Sequence, residues 1–218
     1  MPAVDKSQVP AVTVPRLAVY LRKLRELQAR DVERVSSKEL AALIDLNAAQ
    51  IRKDFSYFGE FGTRGVGYSV DRLIDEIKRC LGLEHSWNVV IVGAGSLGSA
   101  LARYRGFAEQ GFQLVAMFDA SPKKIDHGFG EGRKVQNIDQ LEEFLGREAI
   151  DIAIVTVPAH AAQSIVDRLV SGPPGRRVRS ILNFAPVKVF APKDVVVRQV
   201  DFSSELMSLT FYLDRKDA

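Results

Sequence analysis

The sequence predicts an α/β protein in two parts, a small N-terminal helical domain followed by a larger doubly wound parallel sheet, and three observations carry that prediction. An apolar, β-branched run, Val89-Val90-Ile91-Val92, passes without a gap into Gly93-Ala94-Gly95-Ser96-Leu97-Gly98 and then into a helical pattern. Further apolar runs follow, separated by helix-length segments, as buried parallel strands and their crossovers read. Ahead of residue 85 the pattern changes to amphipathic stripes at spacings of three and four, with basic residues beside them.

Composition bounds the classes. A chain of 218 residues can bury one large core or two modest ones. The net charge of +3 leans toward an anionic partner, and the distribution says more than the total. Arg16, Arg22, Lys23 and Arg25 come without an intervening acid, and Arg52, Lys53 and Arg64 follow, diluted by Asp54 and Glu60. A solvated helix face accounts for each cluster taken singly. No stretch is long and apolar enough to span a membrane and the N-terminus lacks a signal-peptide order, so a cytoplasmic protein is expected. The lone cysteine, Cys80, excludes an internal disulfide and a cysteine metal cluster, and reads as a core thiol on a helix.

Residues 1–14 carry proline and no periodicity and are expected to form an arm, with Pro15 opening the first helix. Leu17, Tyr20, Leu21, Leu24 and Leu27 make its apolar stripe. Ser36-Ser37-Lys38-Glu39 is a capping box. Leu40 and Ile44 would pack the short helix that follows, Leu46 would plug a turn at Asp45-Leu46-Asn47, Asn47 would cap the next helix, and Ile51 and Phe55 would bury its inner face. That is helix-turn-helix spacing. The outer face of the second helix would carry Ala48, Ala49, Gln50, Arg52, Lys53 and Ser56: small residues for close approach, an amide for a base edge, and cations for phosphate or guanine. The same pattern fits two short helices of a domain that never meets nucleic acid, and Asp45 stands where glycine is common. Gly59, Gly62, Gly65 and Gly67, interleaved with Phe58, Phe61 and Tyr68, suit a hairpin wing with Arg64 at its tip, over the DNA backbone or minor groove. A helix over 71–81 ends at Gly82, and 84–88 reads as a linker.

The glycines then follow the spacing G-x-G-x-x-G. Gly93 permits the turn off the strand, Gly95 lets a pyrophosphate approach the backbone, and Gly98 lets the helix sit close to the sheet. Leu97, Leu101 and Tyr104 continue at helical spacing, and a strand over 114–118 ends at Asp119, placed to accept from both ribose hydroxyls. That favours NAD over NADP, although Lys123 and Lys124 leave room for a 2′-phosphate; a glycine turn in an empty α/β domain is the bland alternative. Strands at 150–157, 179–184 and 195–200, a short one including Val135, and helices over 138–145 and up to 170 complete a Rossmann-type sheet without room for a substrate domain. The expected division is 1–84, 85–200 and a terminal helix within 201–218.

Taken together, Pro15-Arg16-Leu17, Gln50-Ile51-Arg52-Lys53-Asp54-Phe55-Ser56, Gly59-Glu60-Phe61-Gly62, Gly65-Val66-Gly67-Tyr68, Val92 to Gly98 and Leu182-Asn183-Phe184-Ala185-Pro186 make the chain similar to the Rex family of redox-sensing repressors. The resemblance implies a homodimer that binds palindromic operator DNA and releases it when NADH binds, with a C-terminal helix exchanged between subunits. It further implies that Gly93, Ala94, Gly95, Ser96, Leu97 and Gly98 hold the pyrophosphate and Asp119 the adenosine ribose. Thr156, Val157, Pro158, Asn183, Phe184, Ala185 and Pro186 would line the nicotinamide half. Arg16, Tyr104 and Asp201 would link cofactor to DNA binding, with Phe202 beside them. Leu206, Leu209 and Leu213 form an apolar stripe suited to a partner subunit or to the chain's own sheet.

Only the nicotinamide ring distinguishes NADH from NAD+, neutral in one and cationic in the other, so an apolar pocket of Phe184, Pro158, Phe202 and Tyr104 would favour NADH. The rival class is an NAD-dependent dehydrogenase, for which His160 is the placed proton donor and a surface residue at a helix start the plainer reading. His85 and His127 do not form a metal set. A regulator using CoA or another adenine ligand is a third reading, against which Asp119 argues.

Overall fold

The computed structural model describes residues 9–57, 67–173 and 175–213. Residues 1–8 of the expected arm, the wing expected around Arg64 and residues 214–218 of the expected terminal segment lie outside them. The chain divides into two compact units, Met1–His85 and Ser86–Ala218.

In the first unit, α1 (Thr13–Gln28) buries Leu17, Tyr20, Leu21 and Leu24. Two residues assigned to the arm, Thr13 and Val14, belong to this helix, and Thr13 is fully buried. Pro15 sits two places inside the helix rather than opening it, because amides of the first turn need no partner within the helix. The capping box forms as read: the Ser36 hydroxyl accepts from the Glu39 N–H at 3.2 Å while the Ser36 N–H donates to the Glu39 carboxylate at 2.7 Å. It starts α2 (Ser37–Ala42). Asp45 then takes φ +53°, the left-handed conformation that glycine often supplies. The Asn47 side chain accepts from the Gln50 N–H at 2.7 Å and opens α3 (Ala48–Ser56). A two-residue ladder pairs β1 (Arg34–Val35) with β2 (Tyr68–Ser69), and α4 (Val70–Leu81) follows, closed by Gly82 at φ +71°. Leu40, Ile51, Phe55, Leu73 and Ile77 join the α1 stripe in one core, with Cys80 packed at its edge.

In the second unit the elements run β3 (Trp87–Val92), α5 (Ser96–Ala102), α6 (Gly106–Glu109), β4 (Phe112–Asp119), β5 (Gly128–Gly130), β6 (Arg133–Lys134), β7 (Gln136–Asn137), α7 (Leu141–Arg147), β8 (Ile152–Val155), α8 (Ala159–Val170), β9 (Ser180–Asn183), β10 (Val196–Gln199) and α9 (Phe202–Thr210). Trp87 and Asn88 therefore belong to a strand and not to the linker. The six-stranded sheet has the order β10-β9-β8-β3-β4-β7, parallel throughout. Alternate residues of β3 feed opposite faces: Val90 and Val92 pack with α7 and α8 residues such as Leu141, Val166 and Leu169, while Val89 and Ile91 pack with Met117, Phe129 and Val135. Val135, expected in a strand, lies buried between β6 and β7.

Replacing Ile77, fully buried on α4, by alanine leaves a cavity in the first core and is expected to lower stability by about 2–5 kcal/mol, read as a fall in the urea midpoint at unchanged m.

Candidate functional site

The C-terminal ends of β3, β4 and β8 meet where the sheet order turns, the place where open α/β sheets bind ligands. Their backbones are stitched together. Gly93 N–H donates to the Phe118 carbonyl and Thr156 N–H to the Val92 carbonyl, both at 2.8 Å. The Thr156 hydroxyl donates to the Gly93 carbonyl at 2.8 Å. Gly93 has φ +111°, and a Cβ there would lie 2.7 Å from the Thr156 carbonyl oxygen. A Cβ on Gly98 would stand 1.9 Å from the Gly93 carbonyl oxygen. Gly95 is unlike both: a Cβ would meet nothing within 4 Å, and no side chain caps the start of α5. Two glycines thus fold the turn onto itself, and the third keeps an open approach to uncapped amides, which fits a pyrophosphate.

Asp119 sits against this turn, only 9% exposed. One carboxylate oxygen accepts from Ala94 N–H at 2.6 Å and from the Lys124 ammonium at 3.1 Å; the other accepts from Ser121 N–H at 2.8 Å. Burial pushes the carboxyl up, but the Ser121 and Ala94 amides and Lys124 outweigh it and hold it below the ordinary aspartate value. The group is a fixed anion that favours ribose hydroxyls over a phosphate, with Lys124 offsetting part of that repulsion. Its bond to Ala94 also makes it a strut of the glycine turn, a role its spacing did not announce.

At the other half, Asn183 is fully buried and spends its side chain on its own turn: it accepts from Ala185 N–H at 3.0 Å and donates to the Val187 carbonyl at 3.0 Å and to Gln199 Oε1 at 2.7 Å. The segment Asn183-Phe184-Ala185-Pro186 is thereby set in shape, and Phe184 pairs with Phe202 at 5.8 Å between ring centroids. Val157 is half-buried and Pro158 exposed at the start of α8. Tyr104 does not extend α5, which ends at Ala102; its ring packs edge-on against Phe107 at 5.2 Å. A Cβ on Gly106 would lie 2.5 Å from that ring, so the glycine makes room for it. Asp201 caps α9, accepting from the Ser203 and Ser204 amides at 3.0 and 3.3 Å. On and just beyond α9, Leu206, Met207, Leu209, Phe211, Tyr212 and Leu213 are each more than half exposed. The stripe does not pack on the chain's own sheet.

In the first unit, Ala49, Arg52, Lys53 and Ser56 are exposed on α3, with Ala48 and Gln50 half-buried. Arg52 donates to the Ser37 hydroxyl at 3.0 Å and the Ser56 hydroxyl to the Lys53 carbonyl at 2.7 Å. Beneath this face lies Asp54, fully buried. It accepts from Arg16 Nε and Nη2, each at 2.6 Å, from the Tyr20 hydroxyl at 2.5 Å and from Gln50 Nε2 at 2.8 Å. Burial raises the Asp54 carboxyl, and the bonds from Arg16, Tyr20 and Gln50 bring it below the ordinary value. Burial, with the Asp54 bond behind it, pushes the Tyr20 phenol up. Arg16 and Gln50, both expected at the operator side of this unit, are thus joined through a carboxylate whose place in the sequence, amid basic residues, marks it only as diluting their charge and as one residue of the Gln50 to Ser56 run.

Residues 8–56 match the family model "Putative DNA-binding protein N-terminus", and residues 84–187 match "CoA binding domain". The redox-sensing transcriptional repressor Rex of Streptomyces coelicolor is 48% identical over 99% of this chain and 81% of its own length. The Rex of Carboxydothermus hydrogenoformans is 46% identical over 95% of this chain and 98% of its own. The chain belongs to the Rex family. Two solved structures titled as RSP, one in complex with β-NAD+ and operator DNA and one with β-NADH, superpose with TM-scores of 0.89 and 0.86 at 36% and 34% identity. The first covers 95% of this chain and 94% of that one, the second 97% of each. RSP is titled a Rex-family repressor. A Rex architecture, with an N-terminal DNA-binding domain ahead of a six-stranded Rossmann-type sheet, is therefore the fold of this chain. No helix among the described residues is long and apolar enough to cross a membrane, and no group of His, Cys, Asp and Glu among them could hold a metal ion.

Gly95→Ala is expected to melt within a degree or two of the parent yet lose affinity for dinucleotide by calorimetry, because its methyl meets no protein atom; Gly98→Ala is expected to lower the melting temperature outright. The Asp54 bonds lower a folded-state pKa, so their contribution to stability is whole above the ordinary aspartate value and is lost as pH falls through the folded one. Asp54→Asn should therefore be less stable near neutrality and show a flatter acid limb in denaturation curves taken from pH 7 downward.

Proposed function

We propose that the chain is a redox-sensing transcriptional repressor, a homodimer that holds a palindromic operator in double-stranded DNA and releases it when NADH binds. One observation carries the reading: an open, uncapped glycine turn with an ionised Asp119 occupies one unit, and a capped helix-turn-helix with an exposed basic face occupies the other. The relatives named Rex and the RSP complexes with NAD+, NADH and operator DNA support it. Gly93 to Gly98 hold the pyrophosphate and Asp119 the adenosine ribose, and Thr156 to Pro158 with Asn183 to Pro186 frame the nicotinamide end. The bound cofactor supplies a ring that is neutral when reduced and cationic when oxidised. Phe184 and Phe202 offer that ring an apolar surface, which disfavours the cation. CoA is disfavoured because Asp119 faces the ribose, where CoA carries a phosphate.

Ala48, Gln50, Arg52, Lys53 and Ser56 form the operator face, and Arg16, Tyr104 and Asp201 couple it to the cofactor. The bare stripe of α9 is the surface a second copy covers, since a monomer rarely exposes so much contiguous apolar side chain. In this reading the cofactor is sensed and not turned over, and His160, the residue a dehydrogenase would use, takes the plainer place of an exposed residue on the first turn of α8. It acts in the cytoplasm, where operator and cofactor meet.

A mobility shift with NADH and NAD+ titrated separately tests this reading. NADH should release the operator at a lower concentration than NAD+, and equal potency, or no specific shift, would remove it. Operator DNA must weaken NADH binding by the factor by which NADH weakens operator binding. Asp119→Ala should make release require far more NADH, and Arg52→Ala or Lys53→Ala should weaken the shift itself.

A further inference from the structure

Gln50 lies on the exposed side of α3, yet its amide is not free to turn. Its Nε2 donates to Asp54 Oδ1 at 2.8 Å, the same oxygen that accepts from Arg16 Nη2 at 2.6 Å. Asp54 has no exposure to water and two further donors on its other oxygen, Arg16 Nε at 2.6 Å and Tyr20 at 2.5 Å. A carboxylate accepts and never donates, so it takes the nitrogen end of the amide and repels the oxygen end. The bonds from Arg16 hold the carboxylate in one orientation, and the bidentate geometry fixes its plane. A free glutamine can present either end to a partner; this one is keyed.

We propose that Asp54 is a specificity-determining positioning residue: it holds the Gln50 amide so that its oxygen and its remaining N–H are offered to the operator side by side, an edge that matches N6 and N7 of adenine and so selects an A·T pair over G·C. The donors available there are adenine N6 and cytosine N4, while guanine and thymine present only acceptors at that edge. Adenine is the better match, because the second N–H of Nε2 remains to meet its N7. Guanine presents acceptors at both N7 and O6, so the remaining N–H could meet one of them while the Gln50 oxygen faced the other, desolvated and unmet, a larger loss than a missing contact. The inference rests on the operator-binding reading above and adds to it which kind of base this side chain selects and why.

The test is selection from a randomised duplex pool by the full-length NAD+-loaded protein, run in parallel with Gln50→Ala and Asp54→Asn and with melting curves for all three. The parent should enrich a two-fold symmetric site with an A·T pair at one symmetric pair of positions, preferred by about fivefold or more over G·C. Gln50→Ala should lose the preference at that pair alone. Asp54→Asn can donate to the amide oxygen and so lets it turn; it should relax the same pair while the other positions keep their order. If Asp54 were only structural, Asp54→Asn would weaken all sequences alike. Gln50→Ala removes one donor to Asp54 but keeps those of Arg16 and Tyr20, and decides even if Asp54→Asn fails to fold. The proposal is overturned if Gln50→Ala keeps every preference, or if the pair whose preference it loses is G·C. A parent that enriches no site at all sinks the operator-binding reading itself.

Discussion

A carboxylate withdrawn from water must be answered by donors from the protein, and that requirement organises both units of this chain. Asp54 is answered by α1 and α3 together, so the helix that would face DNA cannot shift relative to the N-terminal helix without stranding a charge. Removing one partner of such a pair costs several kcal/mol, whereas surface ion pairs such as Lys23–Glu26 contribute little. Asp119 is answered by the amide of Ala94 inside the glycine turn and by that of Ser121 beyond β4, so the anion that would meet the ribose also holds the loop for the pyrophosphate. In each unit, binding surface and fold share one side chain.

The parts of this arrangement that are local in sequence were legible in it. The capping box, the Asn47 cap, the closure of α4 by Gly82 and the strand leading into Gly93 each follow from residues a few positions apart, and each stands as read. Asp45 in the turn looked anomalous and proves to take the glycine conformation itself. The rest depended on contacts that no periodicity encodes. Thr13, Arg16 and Tyr20 reach Asp54 across 34 to 41 residues, and a charge inside a basic helix face looks the same from sequence whether it is buried or solvated. Tyr104 fits helical spacing from Leu101, but α5 ends before it and the ring turns to Phe107. The β5–β6 ladder left no signal because, Phe129 apart, its residues are the glycines and charges of loops.

The two halves of the proposed nucleotide site, the glycine turn for the pyrophosphate and the turn after β9 for the nicotinamide, differ in how they are held. The pyrophosphate side is built from backbone, with glycines fixed by close approach and a threonine hydroxyl bridging two strands, so its shape precedes any ligand. On the nicotinamide side the turn after β9 is rigid, fixed by Asn183 and Gln199, but its aromatic partner Phe202 stands at the first residue of a helix whose own face is bare. A reader of redox state needs this asymmetry: tight, state-blind anchoring at the shared end, and a responsive surface where the two cofactor forms differ.

Cys80, packed at the edge of the first core, has a thiol that burial pushes up to about 11. At neutral pH it stays protonated and is a poor nucleophile. It is the sole sulfhydryl of the chain, so thiol-directed reagents find little to modify. A regulator built this way does not take oxidation of this thiol as its signal, which keeps thiol oxidation apart from the pyridine nucleotide ratio that its relatives are named for sensing.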